Sequence, residues 1–171
     1  MIDKKIFYCW FGGGPKSSLN IDCINSWKSK CPDYEIIEIN ENNFDWTIND
    51  YTIEGYEKGN WSAVSNTARL DILSKESGFY LDTDIILFKS LDEFRECDKG
   101  FITEYVAGQP DVGFLGCGKD FYPEVYRLAK EQLICGTTMH KIWLRNLYKM
   151  YNIHGESKET YTDGFTIYND E

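Results

Sequence analysis

The chain lacks long apolar runs and has little positive charge. No uninterrupted apolar stretch approaches the roughly 20 residues that a helix needs to cross a bilayer, so we expect no membrane span. Its 18 basic residues are outnumbered by 28 acidic ones, which gives a net charge of −10. This surplus argues against nucleic acid and anionic membrane surfaces as electrostatic partners, because both carry the same sign of charge.

Cysteines at metal-binding spacing are also missing. No Cys-x-x-Cys pair occurs among the six cysteines, and neither His140 nor His154 has a cysteine at the spacing of a zinc site. We therefore expect no zinc site. No N-terminal signal region precedes Lys4-Lys5, and reduced cysteines are the natural inference, so we expect a cytoplasmic protein.

The length and the order of apolar segments predict a single α/β domain over residues 1–171. A chain of about 150 residues buries roughly 70% of its unfolded surface, which is enough for a substantial core. Strand-like and helix-like segments alternate, the pattern of a mixed sheet flanked by helices. The predicted strands cover residues 6–11, 34–39, 79–81, 85–88, 101–106, 112–115 and 161–168, and the predicted helices cover residues 19–30, 51–58, 61–77, 122–134 and 138–151.

The most informative segment places Asp82 and Asp84 one residue apart between two apolar runs. Ionised carboxylates beside a buried strand need a partner, and a divalent cation with a bound diphosphate suits two hard oxygen ligands. Such a turn can hold Mg²⁺ or Mn²⁺ against the phosphates of a nucleotide sugar, where the metal neutralises the leaving diphosphate. From these residues alone, the alternative is a surface turn with two solvated aspartates.

A helix-like stripe of apolar residues precedes this turn, with Asn60 as its predicted N-cap and Gly78 as its predicted stop. Asn66 and Arg69 lie three residues apart on one face of that helix. The guanidinium of Arg69 could bind a sugar hydroxyl or a phosphate near the turn. It could equally pair with one of three nearby carboxylates, those of Asp71, Glu76 and Asp82.

Five strings along the chain resemble the bacterial and fungal sugar transferases of glycosyltransferase family thirty-two and their capsular-polysaccharide relatives. The strings cover residues 6–13, 26–27, 32–36, 61–73 and 80–84. They occupy about the first half of the chain, and their shared order is far more specific than one Asp-x-Asp tripeptide. The glucosylating domains of large clostridial toxins are more distantly similar and share the same plan.

The resemblance implies a GT-A-like fold and a role for each matching position. It places Trp10 against the nucleotide base, since a flat indole offers a large apolar face, with the backbone of Cys9 at the base edge. It makes Arg69 the arginine that holds the transferred sugar, Asp82 the carboxylate near ribose and sugar hydroxyls, and Asp84 the direct metal ligand. The implied donor-binding residues are Cys9, Trp10, Asn66, Arg69, Tyr80, Asp82 and Thr83, the implied catalytic residues are Arg69, Asp82 and Asp84, and the implied metal ligands are Asp82 and Asp84.

Core packing is the alternative role for Trp10 and Tyr80, and the chain departs from the family pattern at two places. Ser-Asp-x-x-Arg is usual in the helix, whereas Asn66 carries no charge with which to orient Arg69. Family members commonly continue into a closing C-terminal segment that contains His and Trp. This sequence stops at Glu171, so we expect either a shortened chain or a protein without that element.

The resulting prediction is a metal-dependent glycosyltransferase that uses Mn²⁺ or Mg²⁺. It transfers a sugar, with retention, from a UDP-linked donor to a glycan or polysaccharide precursor. Residues 1–90 form the predicted donor-binding half and residues 91–171 the acceptor-side half. Two alternatives stay open: a donor-binding domain that has lost turnover, and a phosphatase with Asp82 as nucleophile and Asp84 as acid or base around Mg²⁺.

Overall fold

The computed structural model describes residues 1–97, 99–106, 109–118, 159–160 and 165–168. In chain order, the elements are β1 (Lys5–Cys9), α1 (Ser18–Lys30), β2 (Glu35–Ile39), α2 (Asp50–Glu57), α3 (Trp61–Leu73), β3 (Gly78–Leu81), a short 3-10 turn (Asp92–Phe94), β4 (Gly100–Val106), β5 (Gln109–Cys117), β6 (Glu159–Thr160) and β7 (Phe165–Tyr168).

The described strands form one seven-stranded mixed sheet in the order β2-β1-β3-β5-β4-β7-β6. β1 pairs in parallel with β2 on one side and with β3 on the other. β5 runs antiparallel between β3 and β4, and β4 pairs in parallel with β7. Helices connect the three parallel strands β1, β2 and β3, as parallel crossovers require. The predicted α/β class is therefore confirmed.

Alternate side chains of β1 and β3 build an apolar core on each face of the sheet. Phe7 and Tyr80 belong to one cluster, which includes residues of α3. Ile6 and Phe79 belong to the other cluster, in which the fully buried Trp27 of α1 takes part. Because successive side chains of a strand point to opposite faces, α1 and α3 cover opposite faces of the sheet. The carboxyl ends of β1 and β3 lie between these two helices.

α3 begins where the sequence predicts and ends earlier. The Asn60 side chain accepts a hydrogen bond from the N–H of the third helical residue, which confirms the predicted N-cap. The predicted extent to Ser77 is wrong, since the helix ends at Leu73. The Ser77 hydroxyl instead bonds to the backbone of two other segments. Gly78 is consequently the first residue of β3 rather than the helix stop.

The segment after the Asp-x-Asp turn is not the strand that was predicted to resume at Ile85. The Ile85 N–H donates to the Asp82 carbonyl at 3.1 Å, and residues 85–88 have no regular structure. Side chains of α1 bond to this backbone instead. Trp27 Nε1 donates to the Ile85 carbonyl at 2.7 Å, and Ser26 Oγ accepts from the Leu87 N–H at 2.9 Å. These bonds satisfy buried backbone groups that a strand would otherwise have paired.

The other predicted elements match the structure with small shifts at their ends. β1 ends at Cys9 rather than Phe11, and the predicted strands 101–106 and 112–115 correspond to β4 and to the longer β5. β7 covers the end of the strand predicted over 161–168, whereas the predicted helices 122–134 and 138–151 lie outside the described residues. Among the described residues, no helix combines the length and apolar character that crossing a bilayer requires.

Candidate active site

The carboxyl ends of β1 and β3, with the start of α1 and one face of α3, border a cavity of about 410 Å³. Open α/β sheets commonly bind ligands at this edge. The volume lies within the roughly 300–1,000 Å³ that is typical of small-molecule sites. Seven of the predicted site residues line it: Cys9, Trp10, Arg69, Tyr80, Asp82, Thr83 and Asp84.

Arg69 of α3 and Asp82 after β3 form a two-pronged ion pair in the cavity wall. Arg69 Nη1 lies 3.2 Å from Asp82 Oδ2, and Nη2 lies 3.0 Å from Oδ1. Nη1 also donates to the Val112 carbonyl at 2.7 Å, and Nε donates to the Ser65 carbonyl at 3.3 Å. Of the three carboxylates considered for Arg69, Asp82 is therefore the partner. Such bidentate pairs fix the plane of the guanidinium as well as its charge.

Tyr80 contacts both members of this ion pair. The guanidinium carbon of Arg69 lies 4.6 Å from the centroid of the Tyr80 ring, and Tyr80 Oη donates to Asp82 Oδ1 at 2.8 Å. Burial raises the pKa of the Tyr80 hydroxyl well above its usual value, so it acts as a neutral donor. Burial also raises the pKa of Asp82, against the opposing effects of the Arg69 charge and the Tyr80 hydrogen bond. Tyr80 thus serves both the core and the cavity wall.

Asp84 is the carboxylate of this turn that is accessible from the cavity. It is exposed and lines the cavity, whereas both oxygens of Asp82 accept hydrogen bonds from Arg69 or Tyr80. Within the described residues, no three His, Cys, Asp or Glu side chains converge as a complete metal site. The two carboxylates nevertheless fit Mg²⁺ or Mn²⁺, because Mg²⁺ keeps several waters and is usually bound by one or two carboxylates plus phosphates. Asp84 would hold the ion directly, with Asp82 beside it.

Trp10 follows β1 and lines the cavity next to the glycine-rich loop. Its backbone N–H donates to the Ile39 carbonyl at 2.9 Å, and its indole Nε1 donates to the Gly14 carbonyl at 2.8 Å. The Lys16 ammonium lies 5.0 Å from the ring centroid. Part of the tryptophan packs against the core, as one alternative predicted, and part faces the cavity. Stacking on a base stays a prediction.

Two neighbours of Trp10 complete this wall. Cys9 is buried, and burial raises the pKa of its thiol to about 12, so the thiol is protonated at neutral pH. Gly12 has a φ of 82°, and a Cβ at this position would lie 2.5 Å from the Trp61 ring. The Gly12 N–H donates to the carboxylate of Glu41. Both the conformation and the space therefore require glycine at position 12.

Several residues that line the cavity were not predicted from the sequence: Asn20, Trp61, Ser62 and Ser65. Trp61, Ser65 and Arg69 are spaced four residues apart, which places them on one helical face. That spacing could have identified them. No local pattern points to Asn20, because it comes from another helix. Asn66 follows Ser65 but is not among the described residues that line the cavity, so its contact with a sugar stays a prediction.

β5 borders the ion pair from the neighbouring strand. The Asp82 N–H donates to the Gly113 carbonyl at 2.8 Å. A Cβ at Gly113 would lie 3.0 Å from Asp82 Oδ2 and 3.2 Å from Asp111 Oδ1, both tighter than ordinary van der Waals contact. The missing side chain at position 113 therefore leaves room for the Asp82 carboxylate.

Residues 17–100 match a family model described as a glycosyltransferase sugar-binding region containing a DXD motif. This range includes Arg69 and the Asp82-Thr83-Asp84 turn. Residues 17–100 are thus similar to this family of glycosyltransferases. The predicted resemblance is thereby confirmed for this part of the chain, with the motif at the cavity described above.

Two other proteins are similar to this chain, one in sequence and one in structure. Subversion of eukaryotic traffic protein A from Legionella pneumophila subsp. pneumophila (strain Philadelphia 1) is 32% identical over 112 residues, which cover 50% of this chain and 17% of that protein. The structure of PaToxG glycosyltransferase matches with a TM-score of 0.68 at 20% identity and covers 88% of this chain and 70% of its own. The chain thus spans a small part of its curated relative, while the structural likeness confirms the predicted glycosyltransferase fold of the GT-A-like type.

Proposed function

We propose that this chain transfers a sugar from a UDP-linked donor to a glycan or polysaccharide acceptor, with Mn²⁺ or Mg²⁺ as its cofactor. One observation carries the proposal. A carboxylate fixed by an ion pair, Asp82, and an open carboxylate, Asp84, share a cavity with the indole of Trp10. A nucleotide-sugar donor has a sugar, a diphosphate and a base, and this cavity offers a suitable group to each.

The sugar would bind at the remaining donor of Arg69. A guanidinium has five N–H donors. With described acceptors, Nε makes one hydrogen bond and Nη1 makes two, while Nη2 forms the ion-pair contact with Asp82 Oδ1, which leaves Nη2 able to donate to a sugar hydroxyl or a phosphate oxygen. Because the three hydrogen bonds and the ion pair fix the guanidinium, this donor has a set direction. Preorganised donors of this kind stabilise charge that develops in a transition state.

The diphosphate would bind at the Asp-x-Asp turn. When bound, a divalent cation neutralises the charge on the leaving diphosphate. Asp84 would hold the cation, and the net charge of −10 means that a diphosphate has to approach together with such an ion. The hydroxyl-bearing residues Ser62, Ser65 and Thr83 line the same cavity and are suited to bonding with phosphate or sugar oxygens.

The base would stack on the cavity-facing part of Trp10, with the backbone of Cys9 at its edge. Transfer with retention follows from the family resemblance, and no side chain is assigned as a nucleophile. The donor side would occupy residues 1–90 and the acceptor side residues 91–171 of a single cytoplasmic domain. The match of residues 17–100 to the DXD family model and the structural likeness to PaToxG glycosyltransferase support a glycosyltransferase role.

A donor-binding domain without turnover is the second candidate function. It is favoured by Asn66, which stands where the family usually has an acid. A phosphatase is disfavoured, because a nucleophilic Asp82 would need an accessible oxygen. Oδ1 of Asp82 already accepts from Tyr80 and pairs with Arg69 Nη2, and Oδ2 accepts from Arg69 Nη1.

A release assay separates these functions. The chain is incubated with Mn²⁺ and either a panel of nucleoside-diphosphate sugars or a phosphate monoester. Release of nucleoside diphosphate from a sugar donor is the expected result. Phosphate released from the monoester would support the phosphatase. Donor binding without release of either product would support the domain that has lost turnover.

A further inference from the structure

Asn20 links the start of α1 to the middle of the Asp-x-Asp turn. It lies in the first helical turn and lines the cavity. Its Nδ2 lies 3.2 Å from the Thr83 carbonyl oxygen and 3.2 Å from Thr83 Oγ1. One side-chain amide thus donates to both the backbone and the side chain of the residue between the two aspartates.

The orientation of the Asn20 amide is set by the cap of α1. Ser17 Oγ donates to Asn20 Oδ1 at 2.6 Å, and the Ser17 backbone N–H donates to the same oxygen at 3.2 Å. In return, Ser17 Oγ accepts from the Asn20 N–H at 3.3 Å, which completes a capping box. Since Oδ1 faces these two donors, the NH₂ group has to face Thr83. A Glu, which is usual at this capping position, has no donor to offer.

The two aspartates of the turn differ in how they are held. Asp82 is fixed by its own ion pair and by its backbone bond to Gly113. Asp84 is exposed, so its position depends on hydrogen bonds to the backbone on either side of it. On its N-terminal side that contact is Asn20 to the Thr83 carbonyl, and on its C-terminal side it is Trp27 to the Ile85 carbonyl. Of these two α1 side chains, Asn20 is the one that lines the cavity.

We propose that Asn20 is a positioning residue that holds the Thr83–Asp84 peptide so that Asp84 meets the divalent cation of a bound nucleoside diphosphate. This inference rests on the proposed function. The amide acts through Thr83 and need not touch the cation or the sugar. Its expected effect is therefore on metal-dependent nucleotide affinity, with little change in the affinity for nucleotide alone.

The test measures UDP binding by calorimetry in Mn²⁺ and in EDTA for the parent chain, Asn20→Ala and Ser17→Ala. Ser17→Ala is the matched control, because it removes the hydroxyl of the cap, while the Ser17 backbone N–H still donates to Asn20 Oδ1 and keeps the amide facing Thr83. Both variants should lower the melting temperature by a few degrees through loss of the cap. Asn20→Ala alone should weaken UDP binding in Mn²⁺, by about tenfold for two lost hydrogen bonds, while binding in EDTA stays the same.

A spectroscopic measurement accompanies the titration. The electron paramagnetic resonance spectrum of the Mn²⁺·UDP complex should change in Asn20→Ala and match the parent in Ser17→Ala. If Asn20→Ala does not fold, Thr83→Val replaces it, since this variant removes the hydroxyl acceptor and keeps the side-chain shape. We expect Thr83→Val to weaken binding in Mn²⁺ by about threefold and to leave binding in EDTA unchanged, whereas loss of a direct bond from the hydroxyl to the nucleotide would weaken both.

Two results overturn the inference and are distinguishable. If the parent binds UDP in a Mn²⁺-dependent manner and Asn20→Ala, or Thr83→Val in its place, does so equally well, Asn20 has a role in capping alone and the proposed function stands. If the parent shows no Mn²⁺-dependent binding of UDP, the proposed function fails and this inference fails with it.

Discussion

Arg69 and Asp82 face each other between α3 and the end of β3, with two guanidinium nitrogens opposite two carboxylate oxygens. The Arg69 side chain is 5% exposed and the Asp82 side chain is 36% exposed. Loss of Asp82 would leave the buried guanidinium without its ion partner, whereas loss of Arg69 would leave a carboxylate that is partly solvated and keeps its bond from Tyr80. Under the proposed function, stability and donor binding therefore depend on the same contact.

Arg69→Met should destabilise the fold and abolish donor turnover. Removing one member of a buried pair costs about 3–5 kcal/mol, and we expect the lower end because Asp82 is partly solvated. Urea denaturation measures the free energy of unfolding. The double variant Arg69→Met with Asp82→Asn should recover part of this stability and none of the turnover. Strictly additive losses in the double variant would show that the two side chains are not coupled.

Gly113→Ala should displace the Asp82 carboxylate, because the new Cβ would lie 3.0 Å from Oδ2. Overpacking of this kind typically costs about 1–3 kcal/mol of stability. The rate of donor hydrolysis should fall with it. Gly14→Ala is the matched control, since nothing lies within 4 Å of a Cβ there. Equal melting temperatures for the two variants would contradict the close packing at Gly113.

Asp84→Ala should remove the metal dependence of nucleotide binding and leave the fold intact, because its carboxylate is exposed and open to the cavity. Calorimetry with UDP in Mn²⁺ and in EDTA measures this. Glu57→Gln, which removes an exposed carboxylate at the end of α2, should keep the parent's metal dependence. A parent chain that binds UDP equally well in EDTA and in Mn²⁺ would refute the metal assignment.

Trp10→Ala should weaken nucleotide binding on the order of tenfold or more, since stacking on an aromatic ring is worth about 1–3 kcal/mol per base. Trp10→Phe keeps an aromatic face and loses the Nε1 bond to the Gly14 carbonyl. It should therefore retain most of the affinity. If both variants bind as tightly as the parent, Trp10 has a packing role only. If both are equally weak, the bond to the loop matters rather than the stacking.

Asn66→Asp should raise donor hydrolysis or transfer. The new carboxylate would restore the acid that the family usually has there, and a charge-assisted bond to a sugar hydroxyl is roughly twice as strong as a neutral one. Nucleoside diphosphate release is compared between parent and variant across several donors at saturating Mn²⁺. Unchanged or lower rates with every donor would make Asn66 a specificity residue or a bystander. A silent parent with an active variant would support the domain that has lost turnover.

Local sequence patterns were sufficient for the order of elements and for one side of the cavity. Helical periodicity and the Asn60 cap identified α3, and the charged turn after an apolar run identified the Asp-x-Asp site. These features depend on residues close together in the chain. The same local reasoning failed at Ile85, where the apolar run after the turn favoured a strand. The backbone there is bonded instead by Ser26 and Trp27, which belong to a helix far away in the sequence.

Long-range neighbours explain what else could not be predicted. Gly113 and Val112 reach the ion pair because β5 lies next to β3 in the sheet, and nothing in the β5 sequence specifies that order. In the sequence, Asn20 is an ordinary polar residue in the first turn of a helix. Its bond to Thr83 becomes evident only when the fold places α1 beside that residue. The Asp-x-Asp motif could thus be found from the sequence, whereas the residues that hold it in place required the fold.

The contact between Gly12 and Trp61 joins two segments that are otherwise independent in the sequence. A Cβ at position 12 would lie 2.5 Å from the Trp61 ring, so the indole fills the space that any other residue at position 12 would need. The effect of a substitution at one position therefore depends on which residue occupies the other. A larger residue at position 12 would need both a smaller residue at position 61 and a backbone that tolerates the φ of 82°. The shape of this wall should accordingly change through linked replacements at the two positions.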